Sequence, residues 1–364
     1  MIWLNKAALA AIIWEKYMRL KKFAFCALAA AAVLGCSFAA CTPEEGGETQ
    51  QGGEQVAYAG TLSKEGYSSI DSAISAYIQN EIGEGASVSG SADGGLLTAE
   101  ELGQLGLDSS FTGQLGDCRT YTVDYAFGGA NYSRSVYILP AEEEIYYFDP
   151  IPATGQMLSK SYYNAVAGYE NYTNCTITQK VTSIARSGGV MARSTVDNVI
   201  KIDGDECYYE YVMSMGGQTA SQYMYLREDA SGITAYTSSD GDEWWEYNDP
   251  LVLTDGTVIE KISDLVNICK YDSTTLIKTD SGFMLNSEEV KKIAAPTLEQ
   301  LPQSVFNDGS VECGVQGGIV TSLSGRTEAT YTVSGIDYEL KVLTDCSITD
   351  FGTTTVDVQI GEYV

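Results

Sequence analysis

The sequence predicts an α+β protein dominated by antiparallel sheet, and three observations carry that expectation. Segments of alternating polar and aromatic residues recur through the second half of the chain. The gaps between them are Gly-Gly or Asp-Gly pairs, which suit tight hairpins. Only a few stretches carry the apolar period of an amphipathic helix. Together these outline four parts: a leader over residues 1–41, a tether over 42–57, a small α+β unit over 58–167, and an antiparallel sheet with packed helices over 168–364.

The leader comes first. Arg19, Lys21 and Lys22 precede a nearly continuous apolar run from Phe23 to Phe38, which is short for a spanning helix of about 20 residues. A basic patch, an apolar stretch and small residues make a secretory signal. A signal of this kind could start at Met18, which leaves residues 1–17 outside the fold. The run closes on "VLGC" and "FAAC", and both resemble the bacterial lipobox, whose cysteine is diacylated and becomes the new N-terminus. Cys41 is the expected anchor, because Ala39 and Ala40 precede it and polar sequence begins at Thr42. Cys36 is the alternative, and a plain signal peptide with incidental cysteines stays open beside both. Residues 42–57 are Glu, Gly and Gln with little to bury, the composition of a disordered tether.

In the first unit Ile70, Ala73, Ile74, Tyr77, Ile78 and Ile82 fall on one helical stripe behind a Ser68 or Ser69 cap. A short second helix follows Thr98, which forms a capping box with Glu101. Tyr121, Val123, Tyr125 and Phe127 then alternate, and Gly128-Gly129 turns the chain back into "YSRSVYIL", a hairpin. "EIYYF" supplies a third strand before the stretch holding Pro150 and Pro152.

From about Glu170 the texture changes to long strands. "STVDNVIKI", "CYYEYVMSM", "SQYMYLRE", "ITAYTSS" and "EWWEYN" follow one another across Asp-Gly and Gly-Gly turns, four hairpins in succession. In "CYYEYVMSM" the residues Cys207, Tyr209, Tyr211, Met213 and Met215 share one face. A helix is expected over "TVIEKISDLVNIC", then the hairpin "TTLIKTDSGFML", a short helix at "SEEVKKI", and three closing strands: "GGIVTSLSGRTEATYTV", "DYELKVLTDCSIT" and "TTTVDVQI".

Composition narrows the function. The chain has 49 Asp and Glu against 21 Lys and Arg, a net charge of −28. So acidic a surface repels nucleic-acid phosphates and anionic headgroups, so no nucleic-acid partner is expected. There is no histidine, which removes the commonest general base and the commonest metal ligand. Beyond the leader stand Cys118, Cys175, Cys207, Cys269, Cys313 and Cys346, none spaced as CxxC, and free thiols within strands are favoured over a full disulfide set.

The run "DECYYEYVMSMGG…QYMYL…ITAYTSSDGDEWWEYN" and the closing "YTVSGIDYELKVLTDCSITDFGTTTVDV" resemble the LolA/LppX-type lipoprotein fold, over about residues 168–364. The resemblance implies a strongly curved antiparallel half-barrel around helices, with a concave side that holds acyl chains, and it brings no catalytic residues. The first unit departs from single-domain members of that family.

Each remaining motif has a plainer explanation. The two "DGDE" stretches, Asp203–Glu206 and Asp240–Glu243, sit where hairpins need turns and lack the ligand series of a calcium loop. Trp244 and Trp245 should point to opposite faces, and a sugar-stacking platform is the lesser reading of them. The sequons at Asn131, Asn171 and Asn174 read as chance beside a bacterial lipobox. The expected function is therefore a non-enzymatic lipoprotein, without metal or cofactor, monomeric and anchored on the outer face of the cytoplasmic membrane. It would take a hydrophobic small molecule or lipid through Tyr211, Met213, Met215 and Met224. The alternative is a protein- or glycan-interaction module whose core its own side chains fill.

Overall fold

A computed structural model describes residues 57–67, 69–98, 100–101, 117–140, 143–149, 151–229, 232–246, 275–285, 287–299 and 301–360. The expectations for the leader, for Cys36 and Cys41, for the tether up to residue 56, and for the helix over residues 257–269 with Cys269 lie outside the described residues. Within them the chain is predominantly antiparallel sheet with a few helices, in two sheets that are not closed into barrels.

The first sheet holds β1 (Ala57–Ser63), β2 (Ser87–Leu96), β3 (Arg119–Phe127), β4 (Ala130–Pro140) and β5 (Glu144–Asp149) in the order β1-β5-β4-β3-β2. Helix α1 (Ile70–Glu81) lies against it. Its start is fixed by Ser69, whose hydroxyl accepts from the Ser72 amide at 3.3 Å while the Ser72 hydroxyl accepts from the Ser69 amide at 3.2 Å. Two otherwise orphaned donors are thereby satisfied. The predicted stripe is buried: Ala73, Ile74, Tyr77, Ile78 and Ile82 pack on Val123, Tyr125, Val136 and Ile138. The Thr98–Glu101 capping box is present, with the Thr98 amide donating to Glu101 Oε2 at 2.7 Å.

The Pro-containing stretch ties the two sheets together. The Gly155 amide donates to the Lys278 carbonyl, the Lys278 amide to the Gln156 carbonyl, and the Leu158 amide to the Leu276 carbonyl, each at 2.8 Å. Helix α2 (Lys160–Ala167) then begins behind Ser159, whose hydroxyl accepts from the Tyr162 amide. Its Tyr162, Tyr163 and Val166 enter the core of the second sheet, where Tyr163 meets Phe283 edge-on at 5.9 Å.

The second sheet runs β11-β10-β9-β8-β7-β6-β16-β15-β14-β13-β12. Its strands are β6 (Asn174–Ser187), β7 (Val190–Asp203), β8 (Glu206–Met215), β9 (Gln218–Asp229), β10 (Gly232–Ser238), β11 (Trp245–Glu246), β12 (Leu276–Lys278), β13 (Gly282–Leu285), β14 (Val305–Gln316), β15 (Ile319–Val333) and β16 (Ile336–Thr349). The predicted Gly-Gly turns close the hairpins: Gly216 and Gly217 have φ of 59° and 79°, a left-handed pair that side chains with a Cβ rarely adopt, and Gly188-Gly189, which was not predicted, does the same between β6 and β7. Helix α3 (Ser287–Leu298) extends the predicted "SEEVKKI" and packs on β14 and β15. The structure differs from the sequence reading in several places. Residues 354–360, expected as a closing strand, join no sheet, and β1, β2, β6 and β14 were not predicted.

Candidate functional site

One face of the second sheet buries the side chains of alternate residues, and its rows follow from the register. Cys175, Ile202, Cys207, Leu226 and Ala235 form one row across β6 to β10, and Ile177, Ile200, Tyr209 and Met224 the next. With Phe283, Leu323, Cys346 and the tyrosines of α2 they make one apolar cluster. A second cluster lies toward the other end of the same face. There Val181, Val196, Ala329, Leu340 and Val342 pack on Ala294 and Leu298 of α3.

Polar side chains are interspersed between these clusters. Asn198 Nδ2 donates to Gln179 Oε1 at 2.8 Å, and the Tyr209 hydroxyl donates to Asn198 Oδ1 at 3.2 Å. The hydroxyls of Ser183, Thr327 and Thr344 are buried on the same face without a hydrogen-bond partner. A buried hydroxyl left unpaired costs about 1 to 3 kcal/mol, so each marks a place where the face is not fully satisfied by its own groups.

Tyr211, Met213 and Met215 project from β8 onto this face, and Met224 joins them from β9 opposite Tyr209. The structure therefore brings the four predicted ligand residues to one face but divides them between its clusters: Tyr211 and Met213 border the second, Met224 the first. Burial changes sharply at this point. On β7 every second residue from Ser194 to Ile202 is buried, whereas on β8 only Cys207 is, and Tyr211, Met213 and Met215 are half-covered.

The opposite face carries an aromatic strip. Tyr208 lies 6.4 Å from Tyr223, Tyr225 stacks on Tyr236 at 6.0 Å, and Trp244 meets Tyr225 edge-on. Trp244 is buried and Trp245 exposed, the predicted division. Elsewhere on that face a depression of 360 Å³ opens beside Met284, Glu312, Arg326 and Asp345.

A site that the sequence reading missed lies in the first unit. Arg134 of β4 and Asp149 of β5 form an ion pair with side-chain exposures of 2% and 0%. Tyr77 of α1 donates to Asp149 Oδ1 at 3.2 Å, and its ring lies 5.7 Å from the guanidinium. Glu81, one turn further along α1, accepts from the Tyr147 hydroxyl at 3.4 Å and from the Ser161 amide of α2 at 3.0 Å. Arg134 Nε and Nη1 and Asp149 Oδ2 have no partner. Burial raises the Asp149 carboxyl to about 6 against the pull of Arg134, and burial likewise raises Glu81. One guanidinium faces two carboxyls, so the cluster favours keeping a proton. All three groups are sealed from solvent, and what the arrangement does is fix α1, β4, β5 and the start of α2 to one another. No spacing in the sequence announces it, since its members are far apart in the chain and meet only through the fold.

Cys118, Cys175, Cys207, Cys313 and Cys346 are free and buried. Burial lifts the thiol of Cys118 to about 11 and those of Cys175 and Cys346 to about 12, which leaves them inert as nucleophiles. Both Asp-Gly stretches are turns. Asp240 Oδ1 accepts the amides of Asp242 and Glu243 at 3.0 Å each, and among the described residues no group of His, Cys, Asp and Glu is placed to hold a metal.

No protein-family model and no curated protein matches the sequence. Among solved structures, a DUF1329 family protein from Desulfovibrio piger ATCC 29098 is similar over 56% of this chain and 95% of its own. The identity is 10% and the TM-score 0.20, too slight a likeness to carry fold or function.

Proposed function

We propose that the chain is an exported, lipid-anchored and non-enzymatic binding protein. Its second sheet, a LolA-like half-barrel, takes a hydrophobic small molecule or lipid on the face bearing Tyr211, Met213, Met215 and Met224. The observation that carries this reading is the loss of burial from β7 to β8. Apolar, adaptable side chains stand there half-covered, next to a strand that is packed along the same face. Cys41 anchors the mature protein, and Cys41→Ser, not Cys36→Ser, releases it from the membrane fraction. Acyl lipid below its micelle concentration raises the melting temperature, because binding to the native state adds RT ln(1 + [L]/Kd) to stability. Met213→Trp removes that shift while leaving the unliganded melting temperature within a few degrees. If a panel of acyl lipids produces no shift, the ligand reading falls.

A second reading draws on the aromatic strip. Tyr208, Tyr223 and Tyr236 are half-buried on the outer face, the kind of surface on which sugar rings stack. On that reading α2 and α3 fill the inner face, and the protein docks glycans from outside. Tyr208→Ala and Tyr223→Ala would then weaken glycan retention and leave the lipid response untouched.

A further inference from the structure

The second sheet has two unlike ends. At one, the β7–β8 turn carries Asp203, Asp205 and Glu206, and Asp350 follows β16. The other end is formed by the β6–β7, β8–β9 and β15–β16 hairpin tips. The first two are lateral neighbours of β7, and β16 lies beside β6 with Glu339 opposite Arg186. Although the chain has 49 Asp and Glu, none falls within residues 181–196 or 211–227, which contain the first two tips.

At this end, where the first two tips carry no acid, large apolar side chains are left in water. Val190 is 73% exposed, Met191 59% and Ile336 50%. Val190 and Ile336 continue outward from the second apolar cluster, past the half-covered Val333 and Tyr338, and Met191 projects from the other face of the same tip beside Arg186 and Arg193. Arg186 and Arg193 are exposed on the β6–β7 hairpin, and neither makes an ion pair among the described residues. The nearest acids are Asp337 and Glu339 on β16, offset by Lys341 on the same strand. Asp337 is already engaged by the Thr332 hydroxyl at 2.7 Å.

We propose that these tips dock on the surface of a lipid bilayer, with Val190, Met191 and Ile336 entering the headgroup–acyl boundary and Arg186 and Arg193 meeting lipid phosphates. Charge argues for this occupant. An apolar tip flanked by arginines fits an interface that is apolar below and anionic above. The strong negative charge of the chain does not oppose it. The 14 residues of β7 carry the acidic turn about 45 Å from the tip, several screening lengths away at physiological salt. The inference stands whether or not the inner face binds a ligand.

The test uses the mature protein as purified, mixed with vesicles of phosphatidylcholine with and without phosphatidylglycerol. A thiol-reactive, polarity-sensitive dye is placed at Val190→Cys or, at the opposite end, at Asp205→Cys; the described native cysteines are buried and do not compete. Docking predicts a blue shift, and quenching by lipid-borne quenchers, at position 190 and neither at 205. Arg186→Gln and Arg193→Gln should each lower the docked-to-free ratio on phosphatidylglycerol vesicles by about fivefold. Met191→Ser with Ile336→Ser should lower it on both vesicle types, with no change in melting temperature because both residues are exposed. Equal water exposure at 190 and 205 overturns the proposal. So does a blue shift at 190 that needs no lipid and grows with protein concentration, which would assign the patch to a second copy.

Discussion

The two sheets bury polarity in opposite ways. The first encloses a charged cluster, Arg134 with Asp149 and Glu81, roofed by Tyr77 and Tyr147. The second encloses neutral groups: an Asn198–Gln179 pair and three hydroxyls without partners. A buried charge tolerates one arrangement only, because the loss of any partner strands the others in low dielectric. Neutral hydroxyls accept water, another side chain or a ligand with small differences in energy. The first unit is thus built to hold one geometry and to pass it to α2 through the Ser161–Glu81 contact. The second has room to repack.

The largest effect should come from breaking the charged side of this contrast. Arg134→Leu leaves Asp149 and Glu81 without their cation and should cost about 3 to 5 kcal/mol of unfolding free energy in urea titrations. A loss below about 1 kcal/mol would mean that the ion pair carries little weight.

The pH dependence comes next in size. Asp149 has a folded pKa of about 6, above its unfolded value near 3.9, so the stability it contributes is full below about pH 4 and is lost as the pH rises through 6. Asparagine does not titrate. Asp149→Asn should therefore gain on the wild type by roughly 3 kcal/mol between pH 4 and pH 7. A flat difference, or one of the opposite sign, would show that Arg134 outweighs burial.

The smallest change tests the neutral side. Thr344→Val keeps the shape and removes an unpartnered hydroxyl, so it should be neutral or stabilising by up to about 1 kcal/mol. A destabilisation of that size would show that the hydroxyl has a partner in solution, such as an ordered water or a ligand.

Much of the second sheet was legible because its turns are chemical signals. Gly204, in the Asp-Gly turn, and Gly216-Gly217 take left-handed backbone where the pattern requires a tight reversal. Of the four strands that escaped, β1, β2, β6 and β14, two show the physical reason plainly. β14 contains Asn307-Asp308-Gly309, which reads as a turn, yet the register shifts there through a bulge, and a Cβ on Gly309 would stand 2.6 Å from Val290 of α3. The glycine marks the close approach of a helix to a continuous strand. β2 is rich in Ser and Gly, lies at an edge and has two register shifts, so no alternation survives. The candidate residues of β8, Tyr211, Met213 and Met215, were correctly assigned to one face, since strand period alone decides that, and Met224 joins them only through the β8–β9 register. Their division between two clusters depends on where α2 and α3 land, which no local pattern encodes.

The hydrogen bonds from residues 155–158 to β12 have a consequence for anyone shortening this chain. They occupy the main-chain donors and acceptors of a strand that would otherwise end the sheet. A chain beginning at or after α2 would present that strand bare, ready to pair with the same strand of another molecule. The first unit therefore serves its neighbour as a guard against polymerisation, and a preparation of the second sheet alone should be watched for oligomers before any loss of binding is credited to the missing part.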